Sequence, residues 1–226
     1  MRKARRGPSL LLAGAAIATL LGACDFFRPF EKICEARLAP AQISVEAEQP
    51  DFATDLGQPA AALTARGAAT SGRLALGLIE TKLAYSAAFA ANGVVKPLSG
   101  RFCMRPSVQV HLAFRPMTVF IAREHPKGSC EFELTMGHEM KHVRAYEKFL
   151  AELADTIEAD LRARFGDRIH YFDGAAEGEK FLKEMTRTTL TPYIDNGMIE
   201  VEKRQRQIDS VEEYFRLDQF QARCPG

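Results

Sequence analysis

Hydrophobic and polar residues alternate most regularly in the middle of the chain. Apolar side chains occupy every second position over residues 108–114, which is the period of a strand with one buried face. After a turn at Arg115 and Pro116, residues 117–123 are more continuously apolar, as in a more central strand. The pattern therefore predicts two neighbouring strands in a small sheet.

The apolar spacing then changes to steps of three and four residues, which is the period of an amphipathic helix. Ser129 or Thr135 can cap this helix, and it should end at Gly166 and Asp167. Its buried stripe would consist of Met140, Val143, Tyr146, Phe149, Leu150, Leu153, Ile157 and Leu161. Further helices are predicted at 177–188, 198–207 and 211–222, the last with Ser210 and Glu213 as a capping box.

The first half of the chain carries weaker signals. Residues 43–47 and most of 74–88 favour strands, and residues 59–66 favour a short helix. Residues 50–57 and 97–106 are rich in turn-forming residues and predict connections. A mixed first half, a central helix and a helical second half together predict an α+β fold with a small mixed sheet packed on that helix.

His138, Glu139 and His142 form an HExxH motif on the predicted central helix. Residues four apart share one helix face, so the two imidazoles can bind one zinc ion, with the glutamate beside them as a base. Such a motif is typical of metallopeptidases. The alternative is a pair of hydrogen-bonded histidines in the core of a protein without a metal.

The N-terminus predicts an exported, lipid-anchored protein. Four basic residues precede an apolar run at 10–21, followed by Leu-Gly-Ala-Cys, which resembles a bacterial lipobox. That resemblance implies a signal peptide at 1–23, lipidation of Cys24, and a periplasmic location in which Asp25 favours the inner membrane. Residues 24–41 would form a tether, and 42–226 a single domain.

Charge excludes one class of partner. Removing the signal peptide takes away four of 30 basic residues and none of 29 acidic residues, which leaves a net charge of about −3. Nucleic-acid binding normally needs a basic surface, so no nucleic-acid partner is expected. The predicted partners are a membrane, reached through the lipid, and a peptide or protein substrate in the cell envelope.

Four cysteines remain once Cys24 carries the lipid, and an oxidising compartment would pair them. Three pairings are possible. We favour Cys103–Cys130, which would join the strand pair to the central helix, and Cys34–Cys224, which would clamp the ends of the domain.

The order of strands, HExxH helix and later helices resembles the zincin metallopeptidases, and in particular small exported bacterial proteins known as predicted zinc proteases. This resemblance covers residues 100–224 and rests on Val119-Phe-Ile-Ala-Arg, Gly128-Ser-Cys, Gly137-His-Glu-Met-Lys-His-Val and Ile208-Asp-Ser-Val-Glu-Glu-Tyr. It implies Zn²⁺ as the cofactor, His138 and His142 as ligands, and Glu139 as the general base. It also implies that an extended substrate adds to a strand beside the cleft, for which residues 114–123 are the candidate.

The resemblance leaves the third zinc ligand open, because the third histidine of the metzincins is absent after His142. A later helix would supply the ligand, with Glu177, Glu179 or Glu184 as candidates and Glu212 or Glu213 as alternatives. Glu147 rotates off the histidine face. Tyr193 and Tyr214 are candidate transition-state donors, and His111, His125 and His170 have no useful spacing.

These observations favour a lipid-anchored periplasmic zinc metallopeptidase that hydrolyses peptide bonds. Two alternatives stay open. One is a non-catalytic envelope lipoprotein whose metal is structural or absent. The other is a zinc amidase acting on cell-wall peptides, which would use the same residues with a different substrate pocket.

Overall fold

A computed structural model describes residues 28–67, 73–90 and 92–225 of the chain. The predicted signal peptide, Cys24 and Asp25 lie outside these residues. Within the described ranges, no helix is both long enough and apolar enough to cross a membrane.

The described residues form five helices and nine strands. The helices are α1 (Phe30–Arg37), α2 (Ala60–Arg66), α3 (Cys130–Phe165), α4 (Ala175–Ile208) and α5 (Val211–Gln221). The strands are β1 (Gln42–Ala47), β2 (Phe52–Asp55), β3 (Gly77–Glu80), β4 (Leu83–Ala90), β5 (Gly93–Val95), β6 (Phe102–Met104), β7 (Ser107–Phe114), β8 (Met117–Ile121) and β9 (His170–Phe172).

The strands pair into three small sheets. In the first, β7 lies between β1, which runs parallel to it, and β4, which runs antiparallel. In the second, β8 lies between parallel β2 and antiparallel β3. In the third, β6 lies between β5 and β9, and both pairings are antiparallel. The α+β class predicted from the sequence is confirmed, with mixed sheets.

Helix α3 is the centre of the packing. Its apolar stripe is buried against the sheets, and the ring of Tyr146 packs edge-on against Phe114 of β7 with centroids 4.7 Å apart. Leu150, Ile157 and Leu161 are fully buried on the same stripe. The predicted stripe is confirmed because apolar steps of three and four leave one helix face that only burial can satisfy.

Helix α4 runs antiparallel to α3, and the pairing extends along both. Phe165 meets Phe181 with ring centroids 6.3 Å apart, and further along Arg204 Nη1 donates to Glu152 Oε2 at 2.6 Å. The two helices predicted at 177–188 and 198–207 are one helix of 34 residues with Pro192 inside it. Beyond Pro192 the helix packs closely on β4, since a Cβ on Gly197 would lie 2.6 Å from Leu83 Cδ2.

Both favoured disulfide pairings are wrong. The bonds join Cys34 to Cys103 and Cys130 to Cys224. Cys103 lies on β6 and faces α1, while Cys130 opens α3 beside the residues that follow α5. Each bond therefore joins elements that are distant in sequence, an arrangement that depends on their packing and has no local sequence signal.

The predicted tether and two predicted connections contain regular structure. Residues 30–37 form α1, whose Phe30, Ile33 and Cys34 are buried, so this part of the segment 24–41 is packed against the fold. Strands β2 and β6 lie within the connections predicted at 50–57 and 97–106. Both strands are short, and their pairing with distant partners stabilises them more than their own composition does.

Candidate metal centre

Helix α3 places the HExxH motif two turns inside its N-terminus. The helix begins at Cys130 because Ser129 accepts a hydrogen bond from the Phe132 amide at 3.1 Å. Of the two predicted caps, Ser129 is thus the one that forms. His138, Glu139 and His142 are only 6%, 5% and 8% exposed. The three side chains are therefore buried on one face of α3, where they contact α4, α5 and β3.

Asp209 is the residue that the fold brings to the two histidines. It caps the C-terminus of α4, and Ser210 after it caps α5. Asp209 Oδ1 lies 3.1 Å from His138 Nε2 and 3.2 Å from His142 Nε2, and the two Nε2 atoms are 3.2 Å apart. One atom from each residue thus forms a nearly equilateral triangle that could hold a metal ion.

The size of this triangle fits a tetrahedral ion with short bonds. With metal–ligand bonds of about 2.0–2.1 Å, tetrahedral ligand atoms lie about 3.3 Å apart. Two imidazoles and one carboxylate are also the ligand types that zinc takes in catalytic sites with three protein ligands. The donor set of these three residues therefore fits zinc.

The carboxylate of Asp209 is held in its charged form. Burial alone would raise its pKa, but the contacts with His138, His142 and Tyr214 lower the pKa well below its usual range. The Tyr214 hydroxyl donates to the same Oδ1 atom at 3.0 Å. A permanently ionised carboxylate at the α4–α5 corner is what binding of a cation requires.

Gln205 fixes which nitrogen of His142 faces the triangle. Its Nε2 donates to the backbone carbonyl of His142 at 3.4 Å, which turns its Oε1 toward His142 Nδ1 at 2.5 Å. An amide oxygen only accepts, so Nδ1 must carry the proton and Nε2 keeps its lone pair. Gln205 therefore prepares His142 as a ligand, the usual role of outer-layer partners of metal-bound histidines.

Glu213 lies behind the other histidine without a hydrogen bond to it. Its Oε1 lies 3.5 Å from His138 Nδ1, a buried atom without a hydrogen bond among the described residues. Lys141 and Arg216 both bind the Glu213 carboxylate. The Glu213 side chain is bound by these partners and does not complete the predicted capping box. Ser210 alone caps α5, by accepting a hydrogen bond from the Glu213 amide at 3.2 Å.

Glu139 projects from α3 toward the start of β3. A Cβ on Gly77 would lie 2.2 Å from Glu139 Oε1, so only glycine lets the strand pass this close to the carboxylate. Burial raises the pKa of Glu139 to about 7, and the neighbouring histidines only partly offset it. A carboxylate with a pKa near neutrality is a suitable proton acceptor and donor at physiological pH.

The motif opens into a cleft of about 520 Å³. The cleft is lined by the chain from Leu74 to Ile79 and, on α5, by Tyr214 and Leu217. Arg73 binds Asp218 across the end of the cleft and lies over the Tyr214 ring. The metal triangle, Glu139 and Tyr214 thus face one enclosed space of the size that small-molecule or peptide side chains fill.

The structure does not bring the predicted third ligands to the histidines. Glu177 accepts from the Asp173 amide, Glu184 binds Arg187, and Glu179 lies on the same exposed first half of α4. Glu184 is 25 residues before Asp209, about 38 Å along a helix. Because α4 is one continuous helix antiparallel to α3, its end, and not its beginning, meets the HExxH turn.

The structure separates the remaining candidate residues into those at the cleft and those away from it. Tyr214 lines the cleft, whereas Tyr193 bonds Asp160 away from it, and Glu212 is exposed. None of the other histidines reaches the triangle: His111 pairs with Glu46, His125 contacts Thr135, and His170 lies among Phe165 and Phe181.

The strand beside the cleft is β3, and not the segment 114–123 predicted for this place. Strand β8 has a partner on both sides, so no further strand can add to it. Among the described residues β3 pairs with β8 alone, which leaves its other edge unpaired beside the cleft. The continuous hydrophobicity of residues 117–123 marks a central strand, which has no free edge for a substrate.

Asp209, Gln205 and Gly77 are the site residues that the sequence interpretation missed. Asp209 precedes Ser210 at a helix start, where an aspartate is ordinarily a capping residue and carries no metal signal. The available signal was its position one residue before a clear capping box. That position marks a junction between two helices, where a side chain can contact a third helix.

Comparison of the chain with protein-family models, with curated proteins and with solved structures gives no match. The interpretation of the site therefore depends on its own geometry.

Proposed function

We propose that this chain is a zinc-dependent metallopeptidase of the zincin type. The observation that carries the proposal is the triangle of His138 Nε2, His142 Nε2 and Asp209 Oδ1, with Glu139 beside it in the same cleft. Three ligands with an open fourth position are the arrangement of catalytic zinc sites, whereas structural sites are closed by four protein ligands.

His138, His142 and Asp209 would hold the zinc ion. When bound, zinc lowers the pKa of water and polarises a carbonyl group. Glu139 accepts the proton of the attacking water and later gives it to the leaving amine. The Tyr214 hydroxyl donates to Asp209 Oδ1 and so would hold this ligand in place beside the reacting groups. Gln205 keeps the imidazole of His142 oriented throughout.

An extended peptide fits the cleft best beside β3. Backbone groups on the unpaired edge of β3 can bond a further strand, and this places a peptide carbonyl next to Glu139. The proposed substrates are peptides or proteins of the cell envelope. The two disulfides support an extracytoplasmic location, where such bonds persist.

The test is elemental analysis of the purified protein together with a peptide-hydrolysis assay. We expect one zinc ion per chain and hydrolysis that a chelator abolishes and zinc restores. His138→Ala should lose the zinc, while His111→Ala, a histidine outside the cleft, should keep it. Well-folded wild-type protein that takes up no zinc when zinc is supplied would overturn the proposal.

Gly77→Ala should lower hydrolysis at least about tenfold and leave the zinc content unchanged. The new methyl group would occupy the space of the Glu139 carboxylate, 2.2 Å from Oε1, and displace it from the position a base needs. Initial rates on one peptide substrate measure the effect.

Gly137→Ala is the matched control for this change. Gly137 lies on α3 directly before the motif, and a Cβ there meets nothing within 4 Å. Alanine is also the better helix former by about 1 kcal/mol, so activity should persist and stability should rise. Equal activity of both alanine variants would show that the approach of Gly77 to Glu139 has no catalytic consequence.

A further inference from the structure

Helix α5 is attached to the fold without the apolar contacts that hold most helices. Its single buried side chain is that of Glu213, which Lys141 of α3 binds. Among the described residues, no side chain of α5 belongs to a hydrophobic core, and Val211, Phe215 and Phe220 are exposed. Burial of an apolar face is what usually holds a helix in a protein, so α5 must depend on other attachments.

A disulfide bond is the strongest of these attachments. Arg73 also binds Asp218 of α5, but the two side chains are 48% and 51% exposed, and an exposed ion pair contributes little stability. The bond between Cys130 and Cys224 joins the start of α3 to the residue three positions after α5. Because this attachment is covalent, it limits the movement of α5 more than the polar contacts do.

The metal centre depends on the position of α5. The Tyr214 hydroxyl donates to Asp209 Oδ1 at 3.0 Å, and the same oxygen atom faces both histidines. Leu217 and Gln221, on later turns of α5, line the cleft. Movement of α5 away from α3 would therefore remove a hydrogen bond from one of the three ligands and part of the lining of the cleft.

The two disulfides differ in their access to solvent. Cys34 and Cys103 are fully buried and pack with Phe30 in a small core of their own. Cys130 and Cys224 are partly exposed. A thiolate must reach one sulfur atom of a disulfide before exchange can occur, so the rate of reduction depends on access. A reductant in solution therefore reaches the bond between Cys130 and Cys224 first.

We propose that the bond between Cys130 and Cys224 is a redox switch that controls metal binding at the HExxH site. A protein dithiol opens the switch by giving two electrons and two protons. The S–S bond breaks, both cysteines become thiols, and the dithiol becomes a disulfide. Opening frees the end of α5 and weakens the metal centre, and reoxidation restores it. The proposal rests on the metal centre of the proposed function, but not on peptide hydrolysis.

The coupling between the bond and the metal must act in both directions. If the closed bond raises the affinity for zinc, bound zinc favours the closed bond by the same factor. Zinc should therefore protect the bond between Cys130 and Cys224 against reduction. The bond between Cys34 and Cys103 joins α1 to β6 and has no contact with α5, so zinc should not protect it. The buried bond is thus an internal control in the same molecule.

The order of reduction in the full chain provides the first test. A phosphine reductant is added in increasing amounts, free thiols are alkylated, and mass spectrometry identifies the labelled cysteines. We expect Cys130 and Cys224 to be labelled before Cys34 and Cys103. Added zinc should slow the labelling of the first pair about tenfold. In Asp209→Ala, which lacks one ligand atom, zinc should give no protection, and this controls for any effect of zinc on the reductant.

The second test is the zinc affinity of a chain that carries both Cys130→Ser and Cys224→Ser, measured by competition with a chromogenic chelator. We expect a dissociation constant about tenfold higher than that of wild type. If this variant does not fold, the protection by zinc in wild type decides alone.

The two proposals can fail separately. Wild type that binds zinc, but whose bond between Cys130 and Cys224 is reduced equally fast with and without zinc, would overturn the switch and leave the metal centre in place. Labelling of Cys34 and Cys103 first would also contradict the switch. Wild type that takes up no zinc would overturn both the switch and the proposed function.

Discussion

Replacing Asp209 by alanine should cost more zinc affinity than any other change outside the HExxH motif. The variant leaves His138 and His142 with two ligand atoms and removes the negative charge that all three contacts at Oδ1 share. Loss of an outer-layer partner typically costs tenfold to about a hundredfold in metal affinity, so loss of a ligand should exceed a hundredfold. Competition with a chromogenic chelator measures the dissociation constant.

Two further variants provide reference values for the loss of zinc affinity. Gln205→Leu removes the acceptor of His142 Nδ1 and should fall within the tenfold to about hundredfold range. Glu184→Gln removes a glutamate that the sequence had offered as third ligand, and its affinity should equal that of wild type. If Glu184→Gln weakened zinc binding more than Asp209→Ala, the ligand set derived from the fold would be incorrect.

Glu139→Gln should retain one zinc per chain and lose about 100-fold to 10,000-fold in the rate of hydrolysis. This is the usual contribution of a positioned general base to the rate. The amide keeps the shape of the side chain but cannot accept a proton. Zinc content and turnover on one peptide, measured side by side, separate the two effects. Glu147→Gln, an exposed position on the same helix, should leave both unchanged.

The same replacement should stabilise the metal-free protein. Burial raises the pKa of Glu139 from 4.5 to about 7, so the folded state loses stability as the pH rises between these two values. Glutamine has no charge to bury, so the free energy of unfolding above pH 7 should rise by about 3 kcal/mol. Urea unfolding at pH 8 measures it. A Glu139→Gln protein that was both active and no more stable would contradict the role of this carboxylate.

Local patterns predicted those parts of the fold whose stability is local. The alternation over 108–114 and the apolar stripe of α3 each identify a buried face, and both elements form where the pattern placed them. The helix starts at Ser129 and Ser210 could also be predicted from the sequence, because the capping side chain and the amide that it bonds lie within three residues. Residues distant in sequence contribute nothing to such signals.

The rest of the site depends on distant contacts. His138 and Asp209 are 71 residues apart, and only the continuity of α4 through Pro192 determines that Asp209, and not a glutamate near residue 180, reaches the histidines. A local interpretation stops the helix at proline and so misplaces its end. The disulfides failed for the same reason, since their partners are 69 and 94 residues apart.

The bond between Cys130 and Cys224 has a practical consequence for protein production. Cys224 is fixed at the start of α3, and Gln221 three residues earlier lines the cleft. A polyhistidine tag placed shortly after Cys224 would therefore hold six additional imidazoles near the cleft, where they would compete for zinc and obstruct substrate. Metal content and turnover should be measured on protein without such a tag.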